Sequence, residues 1–133
     1  MPTTLQPMED LVLTTDELIT SLLVTDRRVM LFGAPGSGKS TLVTHLARQL
    51  AQHNRASWCI SADPGSPAFG VPGAVSLGQW QTDHWTVMAM HALCTLDAGR
   101  FRVPLLVGVQ RLANAAGEGV IFIDSPGVVR GIA

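Results

Sequence analysis

Residues 33–41 read Gly-Ala-Pro-Gly-Ser-Gly-Lys-Ser-Thr, and no other stretch of the 133-residue chain limits its fold so tightly. Gly33, Gly38, Lys39 and Ser40 stand at the fixed positions of G-x-x-x-x-G-K-[ST], a loop that wraps phosphates. Such a loop must turn sharply and aim several backbone N–H groups inward, which glycine permits. The helix that follows turns its unpaired N–H groups and partial positive charge toward the same phosphates. On this reading Ala34, Pro35, Gly36, Ser37 and Thr41 complete the nucleotide-binding stretch. Lys39 then reaches the β- and γ-phosphates of ATP, and the Ser40 hydroxyl ligates Mg²⁺. Lys39 is also the chain's sole lysine, every other basic residue being arginine.

The flanks fit the loop. Residues 28–32 read as a buried strand entering it, and Leu42, Val43, Leu46, Ala47 and Leu50 give the helical period of a segment leaving it, about 38–53. His53-Asn54 is the expected stop. Upstream, Thr14 and Glu17 form a capping box that predicts a short helix over 15–24, with Leu18, Ile19, Leu22 and Leu23 as its apolar face. Ser57–Ser61 is a second strand. Residues 64–79, rich in proline and glycine, read as an ordered loop. A third strand is expected near 85–91, although Met88, Ala92 and Leu96 also match a helical stripe. Pro104 is expected to open a helix whose buried face is Leu105, Leu106, Val109, Leu112, Ala113 and Ala116, with Gly117 as its stop. Val120–Asp124 is a fourth, wholly apolar strand ending in an acid. Four strands interleaved with helices predict an α/β fold of the three-layer P-loop NTPase kind, with a mainly parallel sheet. The expected organisation is a lead-in and short helix over 1–27, then a nucleotide-binding domain over 28–133.

Composition narrows the partners. Apolar content of 47% against 14% charged residues describes a compact interior, and a net charge of −1 offers no footprint for gripping long nucleic acid. An end of nucleic acid held in a small site is still compatible with it. Cys59 and Cys94 form no C-x-x-C pair and are expected to be buried reduced thiols. The longest apolar run, 85–96, is too short to span a bilayer, and the first positive charge is Arg27. A cytoplasmic protein without a membrane partner is expected.

Phosphoryl transfer also needs a metal holder and a group that orients or deprotonates the attacking oxygen. Asp124 and Asp63 both follow apolar strands, where α/β sheets gather ligands. Asp124 reads as a Walker B-type acid toward Mg²⁺, or as the first residue of a Ser-Pro-Gly turn. Asp63 reads as a catalytic or metal-sharing acid, or as an Asp-Pro-Gly turn with no ligand. Asp124 to Gly127 also has the D-x-x-G form of GTPase switches, but the chain has no second lysine for an N-K-x-D-type guanine reader. Arg100 and Arg102 could grip phosphate or be solvated surface. Trp80 and Trp85 could stack a base or pack in the core, and Trp58 reads as core. The four histidines show no metal-ligand spacing.

Taken with Ser61-Ala62-Asp63-Pro64-Gly65-Ser66 and Val71-Pro72-Gly73, the loop resembles that of the P-loop polynucleotide 5′-hydroxyl kinases. In that family the second strand ends in a D-x-D-x-G-Q-type segment followed by a Pro-Gly turn. Asp63, Pro64 and Gly65 match it from the second acid onward, whereas Ser61 replaces the first acid and Ser66 the glutamine. Thr95 to Gly99 is similar to the family's T-S-P-x-G clasp, with Asp97 in place of the proline, and Asp124 onward is similar to its D-[ST]-x-G segment. The resemblance implies transfer of the ATP γ-phosphate to the 5′-hydroxyl of RNA or DNA. Lys39 and Asp63 would be catalytic, Ser40, Asp63 and Asp124 would share Mg²⁺, and Thr95, Arg100 and Arg102 would meet substrate. It also implies a partial domain, completed by a C-terminal half or an oligomer partner. The competing readings are an ATPase or GTPase switch and a nucleotide-binding scaffold without turnover.

Overall fold

The computed structural model describes residues 14–24, 26–32 and 38–125. The elements run α1 Thr15–Leu22, β1 Arg28–Leu31, α2 Lys39–Gln52, β2 Ser57–Ser61, β3 Ala74–Gln81, β4 His84–Ala92, α3 Arg102–Ala115 and β5 Val120–Asp124. The capping box forms its first half, with Glu17 N–H donating to Thr14 Oγ1 at 3.2 Å. Helix α2 ends as the sequence predicts, in a turn where Asn54 takes the left-handed conformation.

One five-stranded sheet has the order β1-β5-β2-β3-β4. β5 lies between β1 and β2 and is parallel to both. β3 pairs antiparallel with β2, and β4 antiparallel with β3. The α/β class therefore holds, with a parallel half and an antiparallel half. Side chains alternate across β2 and β5 between two apolar cores. Cys59, Val120 and Phe122 pack with Ile19 and Leu22 of α1 and with Val43, Leu46 and Leu50 of α2. Ile60, Ile121 and Ile123 pack on the other face with Leu105, Leu112 and Ala113 of α3. Helices on both faces explain why Val120–Asp124 is buried throughout and shows no polar alternation.

Four expectations are corrected. Residues 74–79 are strand, not loop: β3 is covered on both faces over most of its length, so its Ala, Ser and Gly content hid the period. Gly78 is needed there, because a Cβ would meet the Phe69 ring at 2.9 Å. Helix α3 begins at Arg102 rather than Pro104, which still falls in the first turn, where a missing N–H is tolerated. Leu106 is exposed rather than buried, as are Val103 and Val107, so the first half of α3 is apolar on more than one side. Cys94 is also exposed, while Cys59 is buried. No helix among the described residues is long and apolar enough to cross a membrane.

Phe122 is fully buried between α2 and its own sheet, whereas Phe32 is 76% exposed. Phe122→Ala should cost about 3–5 kcal/mol of unfolding free energy. Phe32→Ala should stay within about 0.5 kcal/mol of wild type, read from urea midpoints at constant slope.

Candidate nucleotide-binding site

The parallel strands β1, β5 and β2 end at one edge of the sheet. Their last residues share a rung, Leu31 beside Asp124 beside Ser61, and β3 extends it with Ser76. The chain leaves β1 directly into the glycine-rich loop. Gly33, Ala34, Pro35, Gly36 and Ser37 lie outside the described residues. Gly38 is described: it caps α2 with φ at 91°, a left-handed conformation that glycine takes without strain. Its carbonyl accepts from Leu42 N–H at 2.9 Å, and no side chain caps the helix. The amino end of α2, with Lys39, Ser40 and Thr41 in its first turn, is thus set beside the end of β5.

There Ser40 Oγ donates to Asp124 Oδ2 at 2.6 Å. Asp124 is only 7% exposed, so its carboxylate depends on such donors. A hydroxyl and a buried carboxylate in contact are hard oxygen donors, and they suit Mg²⁺, which takes one or two protein ligands plus substrate phosphates. The next residue is also tied in, its Ser125 Oγ donating to the Leu31 carbonyl. The Asp124 carbonyl accepts from Ala62 N–H at 3.0 Å, which brings the start of the Asp63 loop to the same place.

Asp63 makes the turn that its Asp-Pro-Gly sequence favours. Gly65 and Ser66 N–H donate to its Oδ1 at 3.2 and 3.3 Å. Farther on, Gly73 N–H donates to the Pro64 carbonyl at 3.0 Å, and the Gly73 carbonyl accepts from Leu93 and Cys94 N–H. This loop meets the clasp-like segment: a Cβ on Gly65 would lie 2.7 Å from the Leu96 carbonyl oxygen. Thr95 is therefore brought near the Asp63 loop, where its Oγ1 accepts from Asp97 N–H at 3.1 Å. Arg100 and Arg102 are exposed beyond it. Arg100 donates its backbone N–H to Asp97 Oδ1, and Arg102 Nε donates to the Gly99 carbonyl at 3.1 Å, so both are tied into a local turn.

The tryptophans belong to packing. Trp80 is buried, meets Trp85 edge-on at 4.9 Å between centroids, and lies under the Arg48 guanidinium. Trp85 stacks with Phe69, and Trp58 Nε1 donates to the Glu118 carbonyl. Among the described residues no group of three His, Cys, Asp or Glu could hold a metal ion. One residue was read only as a departure from a pattern: Ser61, almost fully buried, whose Oγ accepts from Ala68 N–H at 3.0 Å. Its signal in the sequence is a strand-final hydroxyl two residues before Asp63.

Burial, and then the Asp124 charge, push the Cys59 thiol far above the ordinary thiol range. Its proton is kept in the folded state and lost in the unfolded state above about pH 8.5, so its contribution to stability is complete below that pH and falls as pH rises beyond it. A thiol reagent at pH 8 should label Cys94 in the native protein and Cys59 only after denaturation. Cys59→Ala should flatten part of the alkaline fall in stability, measured by urea unfolding between pH 8 and 10.

Comparison with known proteins joins this geometry to a family. Residues 33–94 match the family model described as the mRNA cleavage and polyadenylation factor CLP1 P-loop. The polyribonucleotide 5′-hydroxyl-kinase PH0197 of Pyrococcus horikoshii is 28% identical over 110 residues. That alignment takes in 77% of this chain, which spans about 30% of the length of the relative. The match over residues 33–94 and the similarity to the kinase relative together support the polynucleotide 5′-hydroxyl kinase family for this chain.

Proposed function

We propose that the chain binds ATP at residues 33–41 and moves its γ-phosphate to the 5′-hydroxyl of RNA or DNA, with residues 28–133 as the nucleotide-binding domain. The observation that carries this reading is the 2.6 Å contact between Ser40 and Asp124 at the amino end of α2. It sets a metal-suited oxygen pair at the end of the glycine-rich loop, in a chain whose matched segment is the CLP1 P-loop.

The roles follow from charge. Loop amides from Gly33 to Thr41, the α2 amino end and Lys39 take up negative charge that spreads over the phosphates during transfer. Ser40 and Asp124 would hold Mg²⁺, with Asp63 as a further candidate to share it, and the ion would supply further neutralisation when bound. Asp63 accepts the proton of the attacking 5′-hydroxyl. That oxygen bonds to the γ-phosphorus as the bond to the β–γ bridging oxygen breaks and ADP leaves. Thr95, Arg100 and Arg102, across the loop contact from Asp63, face the acceptor strand. A C-terminal half or a second subunit would add what closes over the site, and the setting is cytoplasmic.

One observation favours a second reading. Asp63 Oδ1 already braces its own turn through two amides, which is what a nucleotide-binding scaffold without turnover would need of it.

Calorimetry with ATP and Mg²⁺ and labelled transfer to a 5′-hydroxyl oligonucleotide separate the two. Lys39→Ala should weaken ATP binding about tenfold or more, the scale of a lost charge-assisted hydrogen bond. Asp124→Asn should remove most of the Mg²⁺ dependence of binding. Asp63→Asn should bind ATP as wild type does and lose transfer. Equal ATP affinity in wild type and Lys39→Ala would overturn the site. Tight binding with no transfer by the wild type would leave the scaffold.

A further inference from the structure

We infer that Ser61 is a positioning residue that holds Asp63 in place through the backbone of its loop, an inference that rests on the phosphotransferase reading above. Four hydrogen bonds bracket Asp63. On its amino side Ala62 N–H donates to the Asp124 carbonyl at 3.0 Å. On its carboxyl side Gly65 and Ser66 fold back onto Oδ1. The bracket is closed by Ser61 Oγ, which accepts from Ala68 N–H at 3.0 Å and so ties the loop back to the last rung of β2.

Ser61 suits this task because it is 1% exposed and in register with Asp124. Cβ atoms of directly neighbouring residues point to the same face of a sheet, so Ser61 shares the α2 face with Asp124. A neutral hydroxyl there accepts from a loop amide without setting a second negative charge beside a buried carboxylate. The Ala68 bond links this loop directly to a side chain of β2. On the far side Gly65 lies so close to the Leu96 carbonyl that a Cβ there would clash. Asp63 is thereby oriented through the backbone of its own loop.

Two measurements test this. Amide hydrogen exchange on Ser61→Ala should show Ala68, Gly65 and Ser66 exchanging about fivefold faster or more, the scale of one lost net hydrogen bond, while core amides of β5 are unchanged. Unchanged exchange at those three amides would overturn the inference, and this arm is decisive even if the wild type transfers no phosphate. In transfer assays Ser61→Ala should lower kcat about tenfold or more with the ATP KM held, since small misplacements of a reacting group are costly. The double variant Ser61→Ala, Asp63→Asn should be no slower than Asp63→Asn alone, as expected of residues acting as one unit. Additive losses would mean that Ser61 acts independently of Asp63, and would also overturn it.

Discussion

A carboxylate almost wholly removed from water is the constraint around which the molecule is arranged. Left unpaired, a carboxylate so buried would cost several kcal/mol. The chain answers with a hydroxyl from the first turn of α2 and with the favourable field of that helix's amino end. Both require α2 to meet the sheet at the end of β5. That placement in turn lays Val43, Leu46 and Leu50 over Phe122 and Cys59. The same charge helps keep the Cys59 thiol protonated beneath it. Site and core are one arrangement seen from two ends.

The second half of the sheet does a different job. After β2 the chain makes a braced loop and then a hairpin, so the antiparallel strands extend the sheet away from the parallel half. Phe69 reaches from that loop onto Gly78 and Trp85, and Gly73 links it to the residues after β4. The loop bearing Asp63 is thus held by β2, β3 and the segment after β4 together. Thr95 and the two arginines follow from the same clamp, on a turn of their own.

Much of this could be read from residue order. Helix α2 and the strands on either side of it were legible because each carries a strong local signal: a helical stripe or a short apolar run. Val120–Asp124 was legible by its unbroken apolarity and terminal acid. What escaped was decided by tertiary contact. Ala74–Gln81 lacks alternation because both of its faces are covered, and glycine there signals an aromatic neighbour rather than a turn. Cys94 sits in an apolar sequence context yet comes after the last residue of an edge strand, where nothing covers it. Leu106 fits the helical stripe, but only Leu105, Gly108, Leu112 and Ala113 of α3 lie deep enough to be buried. For Asp63 both readings, turn and site, survive in the geometry. Thr95 was singled out by the resemblance, and Arg100 and Arg102 by the fit of a guanidinium to phosphate as well.

The order of strands in space has a consequence for how the chain assembles during synthesis. The hairpin of β3 and β4 joins neighbours in sequence, so it forms with little loss of loop entropy and can recruit β2. β1 has no such local partner. Among the described residues it pairs only with β5, Arg28 beside Ile121, across most of the described chain. Until the ribosome has released β5, β1 and β2 have no strand between them and the apolar side chains of both cores lack their central wall. Nascent chains of this fold therefore pass through an interval with an open sheet and exposed α2 surface, when chaperone binding has most to offer. The strand that ends in the buried acid is also the one whose arrival closes that interval.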